Sequence, residues 1–403
     1  MYKIEQIRKD FPALADNLDG KPNIYLDTAA SAQKPQCVID KICRIYEHTY
    51  ANVHRGTYAL AEAITTEYEN ARQIIASFIG AKQDEIVFTR GATESLNLVA
   101  SSYALNTLKE GDEILISEAE HHANLVPWQI VAQKTGAKLK IFKIADDGSY
   151  LQEEFEKALN PKVKIVAITA MSNVLGTIFP VKEMAKAAHK TGAKIVVDAC
   201  QSIVHKKTDV MDSDCDFLCF SGHKLYGPTG IGVLYAKADI LQSMPPYQTG
   251  GDMVDKVTYE KTTFAPPPAR FEAGTPAAVQ AIGLGEAVKY VSSIGFDDIN
   301  THEADLISYF NEKTAETKDL KIIGTAQNKG GVFAFDFNGI HPQDLSFVLS
   351  HEGVAIRIGH HCAEPLVNRM GYTSLARASF GLYTSKSDID AFFAALNKAK
   401  HFF

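Results

Sequence analysis

The chain is short of the features that mark secreted, membrane-spanning and metal-stapled proteins. Its six cysteines, at positions 37, 43, 200, 215, 219 and 362, show neither a metal-finger spacing nor a paired framework. Reduced thiols and a cytoplasmic home are therefore expected. No apolar run is long enough to cross a bilayer, and Met1 to Asp10 mixes charged and apolar residues where a signal peptide would carry an apolar core. Basic runs are missing as well. With a net charge of −7, neither nucleic acid nor an anionic membrane is an expected partner. Repeats and low-complexity segments are absent. What is present is a chain of 403 residues, 46% hydrophobic, enough for two or three domains and a large core. A small-molecule partner fits that balance.

From residue 84 the sequence alternates strand and helix. Apolar runs bounded by turn residues predict strands at Glu85–Thr89, Glu113–Ser117, Leu139–Ile144, Val163–Thr169, Ile195–Asp198, Asp216–Phe220 and Gly232–Tyr235. Helical patterns lie between most of them, so an α/β domain with a mainly parallel sheet is expected, because parallel strands need long crossovers. Before it come a short amphipathic helix and a turn within residues 1–20, and helices through 36–48 and 61–80. The polar loop Asn52 to Thr57 separates those two helices and carries His54 and Arg55. The Pro- and Gly-rich passage 245–276 reads as loop or turn. A helix from Ala277 to Ile294 leads to a smaller α+β domain with a strand at Gly331–Phe337, a helix at Pro342–His351, a strand at Val354–Ile358 and a terminal helix from Ser387. The expected division is a large domain over 21–290 and a small one made of 1–20 with 291–403.

The chemistry gathers at predicted strand ends, the edge where open α/β sheets bind ligands. Phe217 to Phe220 is followed by Ser221-Gly222-His223-Lys224, which projects a lysine from that edge. A lone loop lysine is ordinarily a solvated charge, and Asp198, ending its own strand, is in isolation a helix cap. Together they suit one cofactor. Pyridoxal phosphate needs a lysine for its aldehyde and an acid beside its pyridine nitrogen. Its phosphate needs donors, available where Thr89-Arg90-Gly91-Ala92-Thr93 opens a helix and at Ser221 and His223. His121, in Glu120-His121-His122-Ala123-Asn124, can stack on the pyridine ring; the adjacent histidines do not complete a metal site, and no metal is expected. Asn173 offers an amide at the same edge for a substrate carboxylate. Among the cysteines, Cys200, Cys215 and Cys219 fall in or beside core strands, and Cys37 and Cys43 in a helix. Cys362 follows Gly359-His360-His361 in a polar loop near Arg357, an electropositive setting for a reactive thiol.

These segments carry a resemblance. The sequence resembles the fold-type I pyridoxal-phosphate enzymes of the class-V aminotransferase group, and more narrowly the SufS-type cysteine desulfurases. The likeness runs through Tyr25-Leu26-Asp27-Thr28-Ala29-Ala30-Ser31-Ala32-Gln33-Lys34-Pro35, Ala51-Asn52-Val53-His54-Arg55-Gly56, Ser221-Gly222-His223-Lys224-Leu225-Tyr226-Gly227-Pro228, Arg270-Phe271-Glu272-Ala273-Gly274-Thr275-Pro276 and Arg357-Ile358-Gly359-His360-His361-Cys362-Ala363.

The resemblance implies Lys224 as the Schiff-base lysine, Asp198 as partner of the pyridine nitrogen, Gln201 as donor to the phenolic oxygen and His121 as the stacking ring. It implies Thr93, Ser221 and His223 at the phosphate, joined by Thr275 from the second subunit of a homodimer. Asn173 and Arg377 would grip the substrate carboxylate, Arg377 through a bidentate fork, with Ala29, His54, Arg55 and Arg357 also around the substrate. Arg55 either lines the facing subunit's site or is a solvated charge. Cys362 is the implied nucleophile, turning L-cysteine into alanine and a persulfide that passes to a sulfur acceptor of the SufE or SufU type for iron–sulfur cluster assembly. Selenocysteine lyase, or another lyase or aminotransferase activity on the same scaffold, is the alternative; a catalytically silent binding protein is the reading from a different class.

Overall fold

The computed structural model describes residues 2–15 and 20–402. Residues 16–19, where part of the expected N-terminal turn falls, lie outside them. Helix Ile4–Lys9 begins the described chain.

A seven-stranded sheet forms the larger layer, in the spatial order Ile86–Thr89, Gly232–Ala236, Phe217–Ser221, Lys194–Asp198, Val163–Thr169, Glu113–Ser117, Lys138–Phe142. Six strands run parallel; Gly232–Ala236 alone is antiparallel to both of its neighbours. The central strands are buried on both faces, which is why their sequences are unbroken apolar runs rather than alternating ones. Register then fixes the site: Thr169 pairs with Asp198 and Asp198 with Cys219, so the carboxyl ends of adjacent strands open onto one edge.

A four-stranded antiparallel sheet, ordered Leu320–Ile323, Val332–Phe337, Leu375–Ser379, Arg357–Gly359, forms the second layer. Its core is aromatic. Phe310 of helix Phe296–Glu316 stacks on Phe333 with centroids 4.2 Å apart, and Phe392 and Phe393 of helix Lys386–Ala399 close around them. That terminal helix starts in a capping box formed by Ser385 and Asp388, which holds its otherwise unpaired first N–H groups.

Several elements differ from the sequence reading. The passage 245–276 is not all loop, because Val254–Val257 and Thr262–Phe264 pair as an antiparallel hairpin; its exposed, polar residues hid the alternation. The strand expected over Val354–Ile358 is two. Val354–Ala355 pairs in parallel with Ile24–Tyr25, and Arg357–Gly359 joins the small sheet. Helix Phe296–Glu316 and strand Leu375–Ser379 were not anticipated. The former is largely polar, and the latter is rich in small residues.

Candidate active site

The lysine turn is built by close backbone approach. A Cβ on Gly222 would lie 2.7 Å from Ile231 Cγ2, so the buried strand Phe217–Ser221 can turn tightly there and release His223 and Lys224 at the edge. Segment 31–34 then binds the turn from the side. The His223 carbonyl accepts from Ala32 N–H at 3.1 Å and from Lys34 Nζ at 2.9 Å, while His223 Nδ1 lies 3.2 Å from Ser31 Oγ. Among the described residues Lys34 has no carboxylate partner, and burial pushes its ammonium down to about 8. Lys224 has no hydrogen bond or ion pair among the described residues. Asp198, buried at its strand end, accepts from Cys200 N–H through Oδ1 at 3.0 Å. Gln201 Nε2 donates to the Ala29 carbonyl at 2.8 Å.

Opposite the lysine, Gly91 and Gly232 touch backbone to backbone; a Cβ at Gly232 would sit 2.4 Å from Gly91 Cα. The contact aims the start of helix Ala92–Leu98, with Thr93, into the cavity, and Ser221 Oγ accepts from Ala92 N–H at 2.9 Å. His121 Nδ1 accepts from Ala123 N–H at 3.0 Å, which leaves the neutral ring's proton on Nε2. Burial, and then the charge of Lys224, push that ring down to about 4. His223 is pushed to about 4 by burial first and then by Lys224 and Lys34. Behind His121, Glu120 accepts from Thr169 N–H (3.0 Å), Asn124 Nδ2 (2.6 Å) and Ser117 Oγ. Burial outweighs those bonds and raises its carboxyl to about 8.

The small sheet supplies the rest of the wall. Arg377, 2% exposed, donates through Nη1 to the Asn173 carbonyl (2.9 Å) and through Nη2 to Asp27 Oδ1 (3.1 Å). Its buried Nε has no partner among the described residues. Arg357 Nη1 stands 3.9 Å from Asp27 Oδ2. Cys362 is exposed and, like His361, has a left-handed backbone, with φ of +54° and +53°. Cys200, also on the cavity wall, is buried, and that raises its thiol to about 12.

One open cavity of about 850 Å³ brings together Ala29, Thr93, His121, Asn173, Asp198, Gln201, Ser221, His223, Lys224, Arg357, Cys362 and Arg377. Thr275, His54 and Arg55 are elsewhere. Thr275 lines a separate hollow beside Tyr68, Arg90 and Tyr247. His54 bridges Glu69 (3.2 Å) and Asp252 (3.5 Å), and Arg55 pairs with Asp252 at 3.3 Å. Asn173, in the cavity wall, donates through Nδ2 to the His361 carbonyl at 2.7 Å. Sequence reasoning gave no role to Asp27, Lys34, His122 or His361. Asp27 ends the run Ile24-Tyr25-Leu26, and the strand-end rule that found Asp198 applies to it equally.

The donor set fits pyridoxal phosphate carrying an amino acid. A lysine with no counterion among the described residues, a buried aspartate, a neutral histidine ring and candidate phosphate donors surround one cavity, with the buried guanidinium group of Arg377 in its wall.

Residues 24–392 match the family model described as aminotransferase class-V. The chain belongs to the aminotransferase class-V family. It is 46% identical to a cysteine desulfurase of Dickeya dadantii over 399 residues, covering 98% of this chain and 97% of that one. It is 44% identical to a cysteine desulfurase of Synechococcus elongatus over 398 residues, 98% of this chain but 64% of that relative's length. Among solved structures, the cysteine desulfurase CsdA of Escherichia coli, in an S-sulfonic acid form, superposes with a TM-score of 0.92 at 39% identity over the whole of both chains. The fold is thus the fold-type I architecture of this family. Among the described residues no helix is long and apolar enough to cross a membrane, and no group of three or more acidic, histidine or cysteine side chains is placed to hold a metal ion.

Proposed function

We propose that this protein is a pyridoxal-phosphate-dependent cysteine desulfurase, which takes sulfur from L-cysteine onto Cys362 and leaves L-alanine. One observation carries the reading: the exposed thiol of Cys362, on its left-handed loop, lines the same cavity as Lys224, Asp198 and Arg377.

Pyridoxal phosphate, when bound, supplies an electron sink that labilises bonds around the substrate α-carbon. Lys224 would anchor it, Asp198 would face its pyridine nitrogen, Gln201 its phenolic oxygen and His121 its ring. Thr93, Ser221 and His223 would hold the phosphate. Arg377, fixed in plane by Asp27 and Asn173, would receive the substrate carboxylate and so orient the cysteine side chain toward Cys362. The Lys224 amine moves a proton from the substrate α-carbon. Cys362 Sγ, as thiolate, then attacks the substrate sulfur. A sulfur–sulfur bond forms, the carbon–sulfur bond breaks, and the electron pair left on carbon takes a proton to give alanine.

A cytoplasmic homodimer is part of the same reading, with Thr275 reaching the partner's phosphate and the His54–Arg55 loop at the subunit boundary. Both lie outside the cavity of their own chain, which is what such roles require. The large domain over 21–290 and the small domain of 1–20 with 291–403 would then meet at the cavity. The persulfide would pass to a small acceptor protein of the SufE or SufU type feeding iron–sulfur cluster assembly. The test compares cysteine, cysteine sulfinate and selenocysteine as substrates for the protein and for Cys362→Ala. The variant is expected to keep the cofactor absorption band and lose persulfide formation from cysteine. Undiminished persulfide formation by Cys362→Ala would remove the nucleophile, and selenocysteine turnover with no cysteine turnover would replace the desulfurase by a selenocysteine lyase.

A further inference from the structure

We infer that His122 is a positioning residue for Cys362, clasping the nucleophile's loop from the opposite sheet through its ring nitrogen as well as its backbone. The inference rests on the desulfurase reading for its purpose, though not for its geometry.

Two successive non-glycine residues, His361 and Cys362, occupy the left-handed region, where each costs about 1–2 kcal/mol. Such a conformation persists only where neighbouring bonds over-determine it. The bonds here come mostly from afar. Asn173 Nδ2 holds the His361 carbonyl, and His361 Nε2 meets the Leu375 carbonyl at 3.1 Å. His122 grips on both sides of the sulfur-bearing residue: its N–H donates to the Cys362 carbonyl at 2.6 Å, and its Nε2 accepts from Glu364 N–H at 3.1 Å.

Glu364 opens helix Glu364–Arg369, and Ala363, the residue before it, provides no side-chain cap. The first N–H groups of a helix lack partners within it. His122, from the turn that follows strand Glu113–Ser117, thus does for this helix what a local Ser or Asp does elsewhere. Accepting at Nε2 places the neutral ring's proton on Nδ1. The result is a thiol that is exposed while its backbone is fixed on either side, as needed by a sulfur that must meet substrate within the cavity and later face a partner outside. Misplacement by about 1 Å can cost a reaction roughly 10²-fold.

The test is hydrogen exchange of the holoenzyme, read by mass spectrometry on peptides containing residues 359–365, alongside persulfide formation from cysteine. Two half-buried substitutions are compared: His122→Leu, which has no acceptor, and His122→Gln, whose amide oxygen offers one at similar reach. Both keep the backbone bond to Cys362. His122→Leu is expected to speed exchange in the loop about tenfold and to lower kcat by a similar factor, with KM for cysteine and the cofactor absorption band unchanged. His122→Gln is expected to recover most of both. Wild-type exchange in His122→Leu would overturn the inference, as would a His122→Gln loop as open as that of His122→Leu. Exchange needs no turnover, so a protein that never released sulfur from cysteine would sink the desulfurase reading and still leave the clasp measured.

Discussion

Asp27 fixes the guanidinium plane of Arg377: Arg377 Nη2 lies 3.1 Å from Asp27 Oδ1, the Asn173 carbonyl takes Nη1, and the buried Nε has no partner among the described residues. Burial pulls Arg377 below its ordinary range, with the Asp27 charge opposing that pull. A guanidinium tied at two nitrogens cannot swing, so the third donor has a fixed direction.

Arg377→Lys keeps a positive charge and loses the fork. KM for cysteine is expected to rise by a factor of roughly 10 to 100, the equivalent of about 1.5–3 kcal/mol for a lost charge-assisted bond, with a smaller change in kcat. Steady-state kinetics check it. An unchanged KM would move carboxylate recognition away from this residue.

Acid should weaken the fold before ordinary carboxylates titrate. In the folded protein His121 and His223 are held near 4 and His361 near 3, each by burial first, whereas in the unfolded chain a histidine titrates near 6.5. Between those values these three rings bind more protons in the unfolded state, so their contribution is intact above about pH 7 and is lost as pH drops through the window from 6.5 to about 4; Glu120, raised to about 8 by burial, works the other way and offsets about one ring's share. Carboxylates such as Glu69, held near 2 by His54 and Arg72 against the pull of burial, add to the loss only below the usual carboxylate range. Urea midpoints of the cofactor-free protein at pH 7, 6 and 5 should decline steadily; equal midpoints would refute the assignment.

Glu272 is the anchor of the segment that carries Thr275. Its carboxylate takes both Arg72 Nη1 (2.6 Å) and Nη2 (2.9 Å), the Tyr68 hydroxyl (2.9 Å) and Phe88 N–H (2.7 Å). Glu272→Ala leaves the buried Arg72 with Glu69 as its remaining carboxylate, 3.0 Å from Nε, and removes the partner of the Tyr68 hydroxyl and Phe88 N–H; it is expected to cost about 3 kcal/mol. Chemical denaturation measures it, and a loss below about 1 kcal/mol would show that Glu69 alone suffices for Arg72.

The parts of the site that can be read from sequence are those fixed by strand ends. Asp198, Lys224, Thr93 and His121 each follow an apolar run, and a parallel sheet carries such ends to one edge whatever the details of packing. The setting of Cys362 is of another kind. Gly359-His360-His361-Cys362 reads as a loop, but its left-handed turn is set by bonds to residues 188 and 242 positions away, and no local pattern encodes partners at that distance. Thr275, His54 and Arg55 were assigned by resemblance alone, and the geometry of one chain holds them apart from the cavity. The hairpin inside 245–276 escaped because its residues are mostly exposed, so neither burial nor alternation marks it.

Segment 26–34 is bonded to both sheets at once. Ser379 N–H reaches the Leu26 carbonyl at 2.8 Å, and Ala32 N–H reaches the His223 carbonyl at 3.1 Å. This short length of chain therefore works as a linkage rod: a rotation of the small sheet that shifts the sulfur also pulls on the peptide next to the amine. Cys362 and Lys224, 138 positions apart in sequence, are thereby tied together through the nine residues of this segment.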